Sequence, residues 1–270
     1  RRGGFVEAQG GGTMLLCRAE TALEMGLPIY GIIGGAWSCG DGLQKSVPAP
    51  GPGLLSIAAG GTNSPLGDAL QKLGLSADDV GVVSMHGTST QANDRNETSL
   101  HDTLASALGR SDHLPLPVIA QKALTGHCKG GAAAWQMIGL MQAMNESVIP
   151  PMPNLDEPDR SLANRRNLIF SDEAITMAPG ALRAGLVTSL GFGHVGAAVC
   201  VAHADVLLES LDSDTLSSYA GRRKARWMER MTAQYRVLMG EHDFFKARSE
   251  KPLTASAETR LLLDPDARIR

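Results

Sequence analysis

The chain has 270 residues, 43% of them hydrophobic and 20% charged, enough for one large domain or two smaller ones with a substantial core. A net charge of −3 leaves no electrostatic footprint for nucleic acid, and 4% aromatic residues argue against a stacking platform for single strands. No run of about 18 apolar residues marks a membrane span.

The chain opens at Arg1-Arg2-Gly3-Gly4 with no Met and no secretory signal, and it reads as the continuation of something longer. Gly4 to Arg18 predicts strand, Gly-rich turn, strand, with Gly10-Gly11-Gly12 as the turn. Ala19 to Met25 predicts a short helix stopped by Gly26 and Pro28, and Ile29 to Ala36 predicts a buried strand. Ser46 to Gly53, with three prolines and two glycines, predicts a loop. Pro65 to Leu73 predicts a helix ended by Gly74, Val80 to Met85 a strand, and Asn93 to Leu108 a helix capped by Asn93 or Asp94. Val118 to Ala120 predicts a short strand. Ala132 to Asn145 predicts a helix with Trp135, Ile138, Met141 and Gln142 at helical spacing, and Pro150 to Pro158 an extended loop. Three more strands are predicted at Leu168 to Phe170, Arg183 to Leu190 and Ala197 to Ala204. Strands alternating with helices predict a layered α/β fold whose sheet is covered on both faces.

Beyond Asp205 the character changes. Thr215 to Met239 predicts a helix capped by Asp212 or Ser213. Leu216, Tyr219, Trp227, Met231, Tyr235 and Leu238 recur on one face, and Arg222, Arg223, Lys224, Arg226 and Arg230 cover the other. Such a helix either docks on a partner subunit or presents a solvated face. Glu241 to Arg270 predicts an extended tail that gains order only by packing on something else. Residues 1–205 and 206–270 are therefore read as two units. Cys17, Cys39, Cys128 and Cys200 form no C-x-x-C pair, which predicts reduced thiols and a cytoplasmic location. The sequons at Asn96 and Asn145 are read as chance.

Two stretches carry chemistry. His86-Gly87-Thr88-Ser89-Thr90 and Lys122-Ala123-Leu124-Thr125-Gly126-His127 each follow an apolar run, where an α/β fold places catalytic side chains at the carboxyl ends of its strands. One histidine alone is more often a hydrogen-bonded structural residue; two in matched contexts point to one site built from two loops. A metal site from His86 and His127 with His101 or His194 lacks helical metal-motif spacing and a carboxylate cluster. Gly191-Phe192-Gly193-His194-Val195-Gly196 matches G-x-G-x-x-G, but β-rich sequence follows it, whereas a dinucleotide motif needs a helix. Two neutral imidazoles converging on one carbonyl oxygen fit better, because their N–H groups stabilise a developing enolate.

His86 through Thr90, Lys122 through His127, and Ser189-Leu190-Gly191-Phe192-Gly193 resemble, in order, the three C-terminal signatures of β-ketoacyl-acyl-carrier-protein synthases, which have the thiolase-like fold. The resemblance runs from about Gly4 to His203, and Gly3 to Thr13 is similar to the segment that follows the nucleophile region. The wording around Gln121-Lys122, Thr125 to Gly130 and Gly191 to His194 looks most like the actinobacterial (mycobacterial or corynebacterial) type I fatty acid synthase, and next most like fungal synthase α chains.

The resemblance implies an acyltransferase that performs the decarboxylative Claisen condensation of fatty acid elongation. Within it, His86 and His127 assist decarboxylation and stabilise the enolate, and Lys122 holds His127 in place. Asp94 and Glu97 occupy the acidic stretch, with Glu97 the expected partner of Lys122. Phe192 and Gly193 form the gate and oxyanion turn, and Thr88, Thr90 and Thr125 line the substrate arm. The condensation needs no cofactor and no metal; its substrate rides on the phosphopantetheine arm of acyl carrier protein. The implied partners are that carrier domain and a second ketosynthase copy, a homodimer within a larger synthase, with no nucleic acid and no membrane.

The nucleophilic Cys is expected upstream of Arg1, with Cys128 a bystander. Gln136 stands where many relatives carry Glu, which removes a charge near Lys122, and Leu190 stands where many carry Phe. The rival readings are a non-catalytic thiolase-like scaffold, and a thiolase-type acyltransferase with a second Cys where Phe192 lies.

Overall fold

The computed structural model describes residues 3–40, 52–160, 162, 167–243 and 254–263. Among them are strands β1 (Ile32–Gly40), β2 (Val80–Ser84), β3 (Leu116–Ile119), β4 (Val148–Ile149), β5 (Leu168–Ile169), β6 (Ile175–Thr176), β7 (Ala184–Gly191) and β8 (Val195–Ala202). The helices are α1 (Ala19–Met25), α2 (Pro52–Leu55), α3 (Pro65–Lys72), α4 (Gln91–Leu108), α5 (Lys122–Thr125), α6 (Ala132–Glu146), α7 (Ala204–Leu208), α8 (Ser213–Leu238) and α9 (Ala255–Leu263).

Six strands form one sheet in the order β1-β8-β7-β2-β3-β5, and β4 pairs with β6 separately. β2 runs parallel to both β3 and β7, β3 runs parallel to β5, and the β7–β8 hairpin adds antiparallel strands on one side. Side chains alternate across the pleat, so neighbours in sequence go to opposite layers. Val83, Leu186 and Cys200 join Leu66, Leu70, Leu100 and Leu104 in one apolar layer. Val82, Val187 and Val201 join Leu140, Ala143 and Met144 of α6 in the other. The sheet is thus covered on both faces.

β2 and β3 end side by side, and the parallel arrangement places the loops after them, with His86 and His127, on one edge of the sheet. α3 is capped as its sequence requires: Ser64 Oγ accepts from the Gly67 N–H, and Gly74 sits at φ +69°.

Several expectations need correction. Residues 4–18 form no regular strand; a single parallel bridge joins Glu7 to His127, so this segment pairs with the second histidine loop rather than with itself. β1 starts three residues later than expected and is a half-exposed edge strand, because among the described residues only β8 pairs with it. The expected Ser46–Gly53 loop lies outside the described residues up to 51, and Pro52 and Gly53 open α2 instead. α4 begins at Gln91 after Thr90, and Asn93 turns inward, so neither Asn93 nor Asp94 is the cap. The Trp135, Ile138 and Gln142 stripe of α6 faces outward, while Ala132, Gln136, Leu140, Ala143 and Met144 are buried. On a helix rich in apolar residues all round, periodicity does not say which face meets the sheet.

The long basic helix α8 is capped by Asp212, whose carboxylate accepts from the Asp214 and Thr215 N–H groups. It docks on α1 of the same chain: Tyr219, 2% exposed, donates its hydroxyl to Leu27 O, and Arg222 and Arg226 donate to Leu23 O and Met25 O. Cations at the open carbonyls of a helix C-terminus are favourable there. The C-terminal half of α8 leaves Trp227, Met231, Tyr235 and Leu238 exposed. The tail is not wholly extended, since α9 forms within it; residues 244–253 and 264–270 lie outside the described residues.

Leu140 packs α6 onto β7, where a Cβ at Gly185 would meet its side chain at 2.8 Å. Leu140→Ala should destabilise the chain by about 2–5 kcal/mol in denaturant unfolding, because the rigid sheet cannot collapse into the cavity.

Candidate active site

The first histidine loop is held by a buried carboxylate. Glu97, on the inward face of α4, is 0% exposed. Its carboxylate accepts four hydrogen bonds: from the backbone N–H groups of His86 (2.5 Å) and Gly87 (2.8 Å), from Asn93 Nδ2 (3.0 Å) and from Thr188 Oγ1 (2.7 Å). Gly87 reaches this geometry at φ +53°. Because Thr188 donates its proton to Glu97, its oxygen is left to accept from His101 Nε2 at 3.0 Å. Burial pushes the Glu97 carboxyl up, but His101, His86 and the Gly87 N–H outweigh it and hold the group down at about 2. It is an anion at every working pH.

The second loop is built differently. Lys122 opens the one-turn helix α5, and Gly126 ends it at φ +65°. A Cβ on Gly126 would meet Ala8 Cβ at 2.7 Å, so the approach of the N-terminal segment depends on this glycine. His127 N–H donates to Val6 O (2.7 Å), and Ala8 N–H donates to His127 O (3.1 Å). Lys129 Nζ closes the outside with an ion pair to Glu7 at 2.8 Å.

The two imidazoles meet edge to face with ring centroids 5.2 Å apart. His127 Nδ1 accepts from the Lys129 N–H at 3.1 Å, so a neutral His127 carries its proton on Nε2. Burial lowers both histidines, and the Lys122 charge adds to it, bringing His86 to about 4 and His127 below its ordinary value. Both rings are neutral donors near pH 7. Lys122 is itself pushed down to about 8 by burial, with Glu97 and Cys128 opposing.

A cavity of about 890 Å³ opens against these loops. Gly87, Thr88, Asp94, Lys122 and His127 line one side, and Met152, Leu155 and Phe170 line the other. His86 lies behind His127, 5% exposed, with its Nδ1 buried and unpartnered. A neutral His127 N–H donor beside an ammonium group at the wall of a part-apolar cavity, backed by His86, suits a reaction in which negative charge develops on a carbonyl oxygen.

The structure therefore gathers His86, His127, Lys122, Thr88 and Asp94, with Glu97 beneath them as the support. Thr90 bonds to Thr88 through their hydroxyls, and Thr125 donates to Gly126 O; both brace loops rather than line the cavity. Phe192 and Gly193 sit at the exposed tip of the β7–β8 hairpin, Phe192 being 73% exposed, outside the cavity lining. Phe5 connects this tip to the site, its ring 4.5 Å from His127 and 6.4 Å from Phe192. The G-x-G-x-x-G stretch is that hairpin turn, with no helix after it.

The expected Lys122–Glu97 contact is not made. Lys122 Nζ donates instead to Gln136 Oε1 at 2.9 Å, and Glu97 acts on Lys122 only through its charge. A carboxylate already filled by four donors has no room for a fifth at close range. Thr188 and Phe5 are site residues that the sequence did not single out; Asn93 entered only as a helix cap and His101 only as a metal-ligand alternative, whereas Gln136 was expected near Lys122 from the resemblance. Among the described residues no three His, Cys, Asp or Glu side chains are grouped to hold a metal ion. No cysteine lines the cavity: Cys128 is buried with its thiol toward Thr125 O, and burial pushes the Cys200 thiol up to about 12.

Residues 30–156 match the family described as "Beta-ketoacyl synthase, C-terminal domain". The chain is 39% identical over 267 residues to fatty acid synthase 2 of Mycosarcoma maydis, and 38% identical over 270 residues to the fatty acid synthase alpha subunit stcJ of Emericella nidulans. These alignments take in 99% of this chain but only 7% and 17% of those proteins. The structure superposes on the noncanonical ketosynthase FabY from P. aeruginosa with a TM-score of 0.68 and 27% identity, over 82% of this chain and 34% of that one. A ketosynthase from module 6 of the bacillaene synthase of Bacillus subtilis shares the fold alone, with a TM-score of 0.57 and 23% identity over 69% of this chain and 34% of that one. The fold is thiolase-like, as in these ketosynthases.

Acid should dismantle the site in two stages. His86 binds a proton only in the unfolded chain between pH 6.5 and about 4, so its contribution to stability is complete above 6.5 and lost as pH falls through 4. Glu97, ordinarily near 4.5 and here about 2, contributes above 4.5 and loses that toward 2. Glu97→Gln should cost about 2–5 kcal/mol at neutral pH, because an amide N–H would face donors, and should erase the lower-pH stage of acid unfolding.

Proposed function

We propose that the chain, whose residues 30–156 match the family described as "Beta-ketoacyl synthase, C-terminal domain", serves as the condensing segment of a fatty acid synthase, the part that holds the enolate. The observation that carries this reading is the pair of touching imidazoles, both held neutral, with the His127 proton placed on Nε2.

A malonyl thioester enters the cavity with its carbonyl oxygen toward the two rings. The bond to the free carboxylate breaks, carbon dioxide leaves, and the electron pair becomes an enolate whose oxygen accepts the imidazole N–H bonds. The Lys122 ammonium adds favourable charge nearby without giving up its proton. The carbanion then attacks the carbonyl of an acyl group held as a cysteine thioester. A carbon–carbon bond forms, the carbon–sulfur bond breaks, and the thiolate leaves. Since no cysteine lines the cavity, the acyl-bearing cysteine is assigned to another part of the synthase.

In this proposal the malonyl group arrives on the phosphopantetheine arm of an acyl carrier protein, with Thr88 along its path, Thr90 and Thr125 bracing the loops beside it, and the Phe192–Gly193 turn as gate and oxyanion donor. No other cofactor takes part. The unit spans residues 1–205, pairs with a second copy inside a larger cytoplasmic assembly, and carries residues 206–270 as an appendage. No helix among the described residues is long and apolar enough to cross a membrane. The fungal synthases reported above support the fatty acid setting; the likeness to the actinobacterial enzyme rests on the motif wording alone.

His127→Ala in the full synthase should slow elongation by about 10²–10⁴-fold while leaving assembly intact, as measured by acyl-chain synthesis beside native mass. Unchanged elongation would favour a scaffold. The rate should fall on the acid side as His127 protonates below pH 6.5, and on the alkaline side as Lys122 loses its charge above about 8.

A further inference from the structure

The buried face of α6 carries one polar side chain among Ala132, Leu140, Ala143 and Met144, and that residue, Gln136, is 1% exposed. Packing alone would be served better by an apolar residue, since a buried amide is costly unless both its ends are satisfied. Here both are. Nε2 lies 2.7 Å from Met85 O, 3.0 Å from Thr188 O and 3.2 Å from Ser84 O, while Oε1 accepts from Lys122 Nζ at 2.9 Å. Three carbonyls fix the amino side of the amide, so its oxygen has to face Lys122.

The partners are informative. Ser84 and Met85 lead directly into His86; Thr188 is the residue whose hydroxyl serves Glu97; Lys122 begins the loop that ends in His127. One amide therefore ties together the segments that carry both histidines and their carboxylate support.

We propose that Gln136 is a positioning residue of the condensing site, orienting the Lys122 ammonium beside His86 and His127 and acting on the reaction through that lysine. This rests on the condensing reading above. The charged and titratable groups that face Lys122 are Glu97 from α4, Cys128 from the following turn, and the two histidines, with Glu7 and Lys129 acting further out on His127. Among them the glutamine oxygen is the hydrogen-bond acceptor for the ammonium, and because it is neutral it leaves the lysine's charge uncancelled. That charge adds to burial in keeping the two imidazoles unprotonated.

The test is the pH profile of carbon dioxide release from malonyl thioester by the full synthase, for the parent protein, Gln136→Met and Gln136→Glu. Methionine keeps the length and removes the acceptor. Its alkaline limb should move about one pH unit lower, with a loss of about tenfold at pH 7. Glutamate supplies a carboxylate to Lys122 and should move the same limb about one unit higher. A residue that only packs would reduce the rate in both variants and leave the limb in place. Should one variant not assemble, the limb of the other decides. An unmoved limb, or a shift in the same direction in both, overturns the proposal. If His127→Ala releases carbon dioxide as fast as the parent, the condensing reading fails instead; if that variant is dead and the limb is unmoved, only the role of Gln136 fails.

Discussion

Taking a carboxylate out of water costs several kcal/mol unless donors fill its lone pairs, and Glu97 fills them with two backbone N–H groups, an amide and a hydroxyl. That requirement shapes the surroundings. Two consecutive N–H groups can converge on one carboxylate only if the chain turns sharply after β2, and the turn is made by Gly87 in the left-handed region. The side chain of His86 is thereby aimed away from the sheet and toward His127. Thr188 brings β7 into the same network, and His101 backs it from the next turn of α4. The carboxylate does not itself line the cavity, yet the direction of the first imidazole depends on it.

The second imidazole is set by neighbours distant in sequence. His127 is paired with Val6 and Ala8, and its ring lies against Phe5. Lys122 is drawn inward to Gln136. Three cationic or cationisable groups sit around one small volume, and burial resolves the conflict by keeping the two histidines neutral while the lysine stays charged near neutral pH. The single ammonium is then the positive charge closest to the enolate that the proposed chemistry creates.

Much of this was legible in the residues and some was not, for identifiable reasons. The apolar runs ending in His86-Gly87-Thr88 and before Lys122 locate the two loops, since strand ends and Gly/Thr turns have local signatures. β2, β3, β7 and β8 were visible as apolar runs for the same reason. The pairing of residues 6 and 8 with His127 was not, because one bridge between distant segments has no local pattern, and the Gly10–Gly12 run mimics a hairpin turn. The partner of Lys122 was misplaced because charge alone favoured Glu97, whereas the donors already on that carboxylate exclude a close contact. The buried face of α6 was hidden by its near-uniform apolarity, and Gln136 was placed near Lys122 by the resemblance and not by the helix pattern. α9 lies inside the stretch read as an extended tail, where the polar surroundings hid it.

The central claim is that burial and the Lys122 charge hold His86 as a neutral donor on a loop clamped by Glu97. Hydrogen–deuterium exchange at the imidazole C2, read by mass spectrometry of the full synthase across pH, reports the protonation midpoint of each histidine. The account predicts a midpoint for His86 near 4, well below that of an exposed histidine. A midpoint at or above 6.5 would contradict it.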